Sequence, residues 1–248
     1  MKFGFCTSIE NYHRLVRIGY DYIELSGTSI YQMSDTELYE CKHIIDNGPV
    51  KCENLNNFII PDEGSIEDYV NKVIRRAHLL KVKTICFEKP LSKIMSLECT
   101  KEKSLKQGHD FIEMALEASA PYGIRILIGV VGKSGTKHIK DTKEAYNFIK
   151  NFKQGNVGLV LDLGHFWNAE DELEQLDKEI IKHAEHMYIA NEDNSNALEG
   201  SRTEKYKQYI KYILSLGYKG NLSYKGKVKN FESEARETLE LLRKIYLE

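Results

Sequence analysis

Short runs of mostly apolar residues alternate along this chain with longer segments of helical periodicity. Eight runs are predicted to be strands: residues 2–6, 22–25, 51–55, 84–87, 125–128, 159–162, 187–190 and 221–224. Each is brief, which is typical of parallel strands with both faces buried. Eight strand-and-helix repeats in 248 residues predict a single (βα)8 TIM barrel, one domain over residues 1–248, with an open doubly wound sheet as the alternative.

Signals for the ends of helices support this division of the chain. Two capping boxes are predicted, in which a serine and an acid three residues later satisfy free amide groups: Ser34 with Glu37, and Ser65 with Asp68. Three glycines fall just after a helical pattern and just before a strand: Gly48, Gly123 and Gly217. A left-handed turn is expected at each of them.

Composition narrows the class of protein. Lys and Arg number 35 against 37 Asp and Glu, a net charge of -2, so neither nucleic acid nor an anionic membrane is expected as a partner. The first residues are too polar for a secretory signal and no apolar run is long enough to span a membrane, so a cytoplasmic location is expected. The five cysteines are scattered, and buried free thiols are expected rather than disulfides or a zinc site.

Two segments after predicted strands are unusually long. They cover residues 88–102 and 191–202 and are expected to fold over the mouth of the barrel, where the carboxyl ends of the strands meet. Polar residues gather at the same ends: Glu24, Glu53, Asn54, Asn56, Glu88, Lys89, Asp162, His165, Tyr188, Asn191, Glu192 and Lys225. Taken alone, each of these residues is explained as a solvated residue at the rim of the barrel. Their convergence at one mouth favours a binding or catalytic site instead.

The sixth strand and the loop after it, "VGLVLDLGHFWNAED", resemble the corresponding motif of the xylose isomerase-like TIM barrel family. This family includes sugar isomerases and epimerases, inosose dehydratase and the endonuclease IV nucleases. Further segments resemble its second, third, fifth, seventh and eighth strands: "GYDYIELSG", "ENLNNFIIPD", "PYGIRILI", "HMYIANED" and "LGYKGNLSY". The resemblance covers nearly the whole chain.

The resemblance implies a divalent metal held by Glu, Asp, His and Glu from strands five to eight. In this chain the corresponding residues are Gly129, Asp162, Tyr188 and Lys225. Only the aspartate is retained, which is far short of the donors that a divalent ion needs. His186 is expected to point to the opposite side of its strand from Tyr188. We therefore expect a degenerate site without a metal or any other cofactor.

Lys225 is expected to supply the positive charge that the metal would have supplied, with Asp162 as its partner. An ammonium and a carboxylate about 4 Å apart attract each other by roughly 4 kcal/mol at an effective dielectric of 20, before the cost of desolvation. The alternative is that Lys225 points into solvent at the rim.

The first functional hypothesis is a metal-independent isomerase or epimerase that acts on a small sugar, sugar phosphate or polyol. Lys225, and also Lys89, would polarise a carbonyl, and an acid or base would come from a set of four residues: Glu24, Glu53, Glu88 and His165. A Schiff base at Lys225 is a variant of this hypothesis. The residues expected to contact the substrate are Asn54, Glu88, Lys89, Trp167, Tyr188, Asn191 and Arg202. Trp167 and its neighbour Phe166 would stack on a sugar ring. Arg202 would bind a phosphate or carboxylate.

Two other hypotheses stay open. The first is a non-catalytic sugar-binding or regulatory homologue, or the inactive subunit of a larger assembly, which would explain the loss of three of the four implied metal ligands. A homo-oligomer is also compatible with the sequence. A nuclease of the endonuclease IV type is the least favoured, because it needs a cluster of metal ions. Its phosphate-binding lysines would have to come from "KEKSLK" or "YKGKVKN", which are more typical of solvated surface.

Overall fold

The computed structural model describes residues 1–95, 100–130, 139–152, 155–168, 172–190, 201–226 and 228–247. Eight parallel strands follow one another around a closed barrel in sequence order, and β8 closes it by pairing with β1. The strands are β1 (Phe3–Cys6), β2 (Tyr22–Ser26), β3 (Lys51–Asn56), β4 (Thr84–Cys86), β5 (Arg125–Ile128), β6 (Val157–Asp162), β7 (Ala184–Ala190) and β8 (Asn221–Lys225). The predicted (βα)8 barrel is confirmed.

The strands differ from prediction mainly where β6 and β7 begin. β6 starts two residues earlier than expected and β7 three residues earlier. These extra residues include Gly158, a poor strand former, and the polar Glu185, so neither extension shows in the apolar pattern. The two features belong together, because a Cβ on Gly158 would lie 2.4 Å from the Glu185 carboxylate. The glycine leaves the space that the glutamate fills.

Twelve α-helices lie in the described part of the chain, more than the eight that the sequence pattern predicts. They are α1 (Tyr12–Ile18), α2 (Gly27–Gln32), α3 (Asp35–Asn47), α4 (Ile66–Leu79), α5 (Glu88–Ile94), α6 (Lys101–Ser119), α7 (Thr142–Ile149), α8 (Leu163–Asn168), α9 (Glu172–Gln175), α10 (Lys178–Lys182), α11 (Ser201–Ser215) and α12 (Phe231–Leu247). Short 3-10 helices cover Ile9–Asn11 and Ala120–Tyr122. The additional helices are short, and a single turn or two carries no clear period in the sequence.

The predicted helix caps are confirmed in part. Ser34 and Glu37 form the full reciprocal capping box, whereas Ser65 accepts a hydrogen bond from the Asp68 amide, which is half of one. The two glycines before β5 and β8 adopt the left-handed conformation, with φ of 65° and 97°. Gly48 is extended, at φ -110°, so that prediction is wrong. It is needed for space instead, since a Cβ there would lie 2.0 Å from the Tyr12 hydroxyl.

The main hydrophobic core fills the layer between the strands and the surrounding helices. A second, smaller cluster lies inside the barrel and consists of Cys86, Leu127, Val160 and Tyr188, with Cys6 packed against it. Four of the five cysteines lie among the described residues and all four are free thiols, as expected; Cys99 lies outside them.

Candidate functional site

An ion pair joins two strand ends at the mouth of the barrel. The Lys225 ammonium, at the end of β8, lies 3.7 Å from Oδ2 of Asp162, at the end of β6. Oδ1 of Asp162 accepts a hydrogen bond of 3.0 Å from the Gly164 amide, which fixes the carboxylate. The lysine side chain is 23% exposed and the aspartate side chain 6%. The expected pairing is present, and Lys225 does not extend into solvent.

The ring of Tyr188 lies beneath this ion pair. Nζ of Lys225 is 4.5 Å from the ring centroid, a distance at which a cation is attracted to an aromatic face. The tyrosine hydroxyl donates to Glu24 at 2.9 Å and accepts from the Asn54 amide at 2.7 Å. Tyr188 and Asn54 are almost completely buried. Neither therefore presents a free polar atom to a ligand at the mouth, contrary to the expectation that both contact the substrate.

Glu24 is a carboxylate sealed inside the barrel, with none of its surface exposed. Its oxygens accept hydrogen bonds from five side chains on four other strands: Cys6, Asn54, Asn56, Tyr188 and Ser223. Burial raises the pKa of Glu24, but attraction to His186 and the hydrogen bonds outweigh it and lower the pKa to about 2. A buried, strongly acidic group is a poor general base. Its position does not favour the acid or base role expected from sequence.

His186 faces the interior beside Glu24, so its predicted orientation is wrong. Residues 186 and 188 are two apart on one strand and share a face, and the rings of His186 and Tyr188 are 4.6 Å apart between centroids. Nε2 of His186 lies 2.6 Å from Oε1 of Glu24, without the alignment of a hydrogen bond. The contact is an electrostatic one in the middle of the barrel.

Glu53 lies at the opposite end of the barrel from this site. Its carboxylate contacts Lys2 at 2.5 Å, Lys83 at 3.3 Å and the Asn221 amide at 3.3 Å. These residues lie at or just before the first residue of a strand, and so mark the amino-terminal end of the barrel. Burial raises the pKa of Glu53, but the two lysines bring it below its usual value. Sequence reasoning placed Glu53 at the mouth, and its position excludes it from the site there.

Several candidate residues have no described side chain. Backbone helices are described at five of them: Glu88 and Lys89 begin α5, His165 and Trp167 lie in α8, and Arg202 lies in α11. Asn191 lies outside the described residues, as does most of the long segment to which it belongs. Phe166 is described and is 1% exposed, so it is not available to stack on a sugar. The segment after β4, expected to be a loop, contains the helix α5.

The divalent metal that the resemblance implies does not fit the residues at the mouth. Of the four expected ligands Asp162 is present, while Gly129 has no side chain and Tyr188 directs its hydroxyl toward Glu24. The ammonium of Lys225 stands 3.7 Å from the remaining carboxylate, where it repels a cation. Among the residues that the structure describes, no group of three or more His, Cys, Asp or Glu side chains is arranged to hold a metal ion.

Sequence reasoning also missed members of the buried network. Cys6 and Ser223 donate to Glu24, and Cys86 lies 3.3 Å from the Tyr188 hydroxyl. Ser223 is two residues before Lys225, so the alternation of strand side chains gave a signal that both face inward. No comparable signal existed for the two cysteines, whose residue type is equally common in an apolar core.

A closed barrel of eight parallel strands, with its polar site at their carboxyl ends, has the architecture of TIM-barrel enzymes. The chain belongs to the xylose isomerase-like TIM barrel family, whose model matches residues 12–245. Within the described ranges, no helix is both long and apolar enough to cross a membrane.

Three of the proteins that the chain is similar to are one isomerase and two epimerases. The chain is 22% identical to an inosose isomerase of Halalkalibacterium halodurans over 165 residues, which are 64% of this chain and 58% of that protein. It superposes on the 3-keto-D-glucoside 4-epimerase of E. coli with a TM-score of 0.79 at 17% identity, covering 98% and 99% of the two chains. For a D-allulose 3-epimerase of Methylomonas sp. the TM-score is 0.82 at 13% identity, with 99% and 98% covered. At these identities the structural likeness establishes the fold.

Proposed function

We propose that this protein is a sugar isomerase or epimerase in which the Lys225 and Asp162 pair replaces the divalent metal of its family. The substrate would be a small polyhydroxylated compound with a carbonyl group, either a sugar, a sugar phosphate or an oxidised polyol. The single observation that carries the proposal is the ion pair at the mouth, where a cation and a fixed carboxylate are held 3.7 Å apart.

The chemistry is a proton transfer next to a carbonyl. The carboxylate of Asp162 takes the proton from the carbon beside the carbonyl, and the ammonium of Lys225 stabilises the negative charge that develops on the carbonyl oxygen. The hydroxyl proton on that carbon then moves to the former carbonyl oxygen, and return of the first proton to the former carbonyl carbon completes an isomerisation without any net oxidation. Stabilising such an oxyanion contributes about 10²- to 10³-fold in rate, and a positioned base about 10²- to 10⁴-fold.

An epimerisation would need a second group on the other face of the substrate. His165 follows Asp162 by three residues and lies in α8, the helix directly after β6, which makes it the sequence candidate for that role. One carboxylate suffices for proton transfer on a single face. Isomerisation is the reaction that Asp162 and Lys225 would support on their own.

The test is exchange of substrate hydrogen with solvent. EDTA-treated protein would be incubated in D2O with D-fructose, D-tagatose, D-allulose, an inosose and a 3-keto-D-glucoside, and deuterium incorporation followed by mass spectrometry. We expect incorporation from at least one substrate without added metal. Lys225→Met and Asp162→Asn should each lower the rate at least about 100-fold, while Lys219→Met, at an exposed lysine before β8, should leave it unchanged.

Two results would overturn this proposal. Exchange that appears only after metal is added would assign the chemistry to a metal ion. Binding of a sugar, seen as a thermal shift, without any exchange would favour the alternative of a non-catalytic sugar-binding homologue. The replacement of three of the four implied ligands is the observation that supports this alternative.

A further inference from the structure

Tyr188 contacts two charged side chains, one through its ring face and the other through its hydroxyl. Its ring face lies 4.5 Å from the Lys225 ammonium, and its hydroxyl donates to the Glu24 carboxylate at 2.9 Å. The mouth and the interior of the barrel are thus joined through one phenol. With none of its surface exposed, Tyr188 cannot touch a ligand, and its effect on the site must pass through the residues that it holds.

Hydrogen bonds hold the hydroxyl of Tyr188, and apolar side chains pack around its ring. Asn54 donates to its oxygen at 2.7 Å, so the hydroxyl both donates and accepts, and the ring packs in the interior cluster with Leu127 and Val160. The Asn54 amide also donates to Glu24, at 2.8 Å. Each of the three polar groups therefore restrains the other two. Because the ring is held in this way, its face stays in a fixed position beside the Lys225 ammonium.

Glu24 also acts on the electronic character of the ring. A phenol that donates its proton to a carboxylate is polarised toward the phenolate, because hydrogen bonds in a low-dielectric interior polarise their partners. Polarisation of this kind makes the ring face more negative and strengthens its attraction for a cation. The low pKa of Glu24, about 2, keeps the carboxylate charged at neutral pH.

We propose that Tyr188 is a positioning residue that holds the Lys225 ammonium over its ring, and that Glu24, acting through the Tyr188 hydroxyl, fixes and polarises that ring. The inference deepens the proposed function, since Lys225 matters for catalysis only if that function is right. The contacts themselves do not depend on it. The role replaces the direct catalytic or substrate contact that sequence suggested for Glu24, Asn54 and Tyr188.

The experiment measures the reactivity of the Lys225 amine without any substrate. Trace labelling with acetic anhydride, quantified by peptide mass spectrometry, reports the Lys225 rate relative to that of Lys219 in the same molecule. The variants are Tyr188→Met, which removes the ring at similar volume, Tyr188→Phe, which keeps the ring but not the hydroxyl, and Glu24→Gln. Circular dichroism and thermal unfolding establish that each variant is folded.

Attraction to the ring stabilises the ammonium, so its loss should raise the labelling rate. Tyr188→Met should increase the Lys225 to Lys219 ratio about 2- to 30-fold, the range that follows from the usual strength of cation–π contacts. Tyr188→Phe and Glu24→Gln should increase it less, but in the same direction. An unchanged ratio in folded Tyr188→Met would overturn the proposal, and if that variant does not fold, an unchanged ratio in both other variants would do so.

The outcome is separate from that of the proposed function. If the ratio rises as expected but no sugar undergoes exchange, Tyr188 positions Lys225 in a protein that is not an isomerase. If exchange is lost in Tyr188→Met while the labelling ratio stays constant, the isomerase stands and the positioning role is wrong.

Discussion

The Lys225 ammonium and the Asp162 carboxylate lie 3.7 Å apart at the ends of two strands that are separated by β7. The Lys225 ammonium lies over the ring of Tyr188, a residue of that intervening strand. The pair places a cation where the family resemblance implies a metal ligand, and it leaves one carboxylate fixed beside a positive charge. The proposed chemistry depends on this arrangement.

The ion pair should appear as a coupling energy in stability. Each single change, Lys225→Met or Asp162→Asn, removes one charge of the pair and leaves the other in place, whereas the double change removes both. We expect the double variant to be more stable than the sum of the single effects by about 0.5–3 kcal/mol, the range for groups in direct contact. Urea unfolding of the four proteins measures it. Additive effects would mean that the two groups do not interact.

Glu24 should make stability depend on acid pH. Its pKa is about 2 when folded against an ordinary value of 4.5. The lowered pKa stabilises the fold above pH 4.5, and this contribution is lost as the pH falls toward 2. The free-energy difference between wild type and Glu24→Gln should therefore shrink by about 3 kcal/mol over that interval. Denaturant unfolding at several pH values measures the difference, and a constant difference would show that Glu24 is not charged.

The matched control for this measurement is Glu40→Gln, at an exposed position of α3. It removes a carboxylate from the surface, so the difference from wild type reports only the general effect of net charge. The pH dependence assigned to Glu24 is the part that exceeds this control.

Gly4 leaves the space for a tyrosine ring inside the barrel. A Cβ at this position would lie 2.1 Å from the ring of Tyr22, which is fully buried and hydrogen-bonded to Ser223 at 2.7 Å. Gly4→Ala should therefore destabilise the protein by about 1–3 kcal/mol or more, as overpacked cores do. Gly155→Ala is the control, because among the described residues no atom outside its own chain neighbours lies within 4 Å of the added methyl. Equal melting temperatures for the two variants would contradict the packing described here.

The ammonium form of Lys225 should prevent a Schiff base. Contact with a carboxylate and with an aromatic face both stabilise the charged amine, and only the neutral amine attacks a carbonyl. Borohydride reduction in the presence of the sugar panel should leave the Lys225 peptide unmodified. A reduced sugar adduct on that peptide would replace the electrostatic role of Lys225 with a covalent one.

The strands were predictable because a parallel barrel buries both faces of each strand. A strand buried on both faces is a continuous apolar run in the sequence. The alignment of Asp162 and Lys225 at the mouth followed from the resemblance to the family. Their contact also required the side chains to turn toward each other, which was an expectation until the structure showed the 3.7 Å separation.

Other residues could not be placed from sequence for physical reasons. Glu53 and Asn56 both lie on β3, but a six-residue strand spans about 20 Å and reaches both ends of the barrel. The burial of Glu24 depends on hydrogen-bond donors from four other strands. The position of each donor along the barrel axis is set by how the strands are staggered, which the local sequence pattern does not show. The position of His186 was predictable from strand alternation, because residues two apart on a strand point to the same face. The prediction was wrong because it assigned His186 and Tyr188 to opposite faces.

The central claim, that the Lys225 ammonium stands in place of a metal ion, is tested most directly by metal titration. EDTA-treated wild type, Asp162→Asn and Lys225→Glu would be titrated with Mn2+, Mg2+, Co2+ and Zn2+ by calorimetry, followed by elemental analysis. We predict no stoichiometric binding by the wild type, and a gain of affinity in Lys225→Glu, which places two carboxylates side by side. Near-stoichiometric metal in the wild type that is lost in Asp162→Asn would contradict the account.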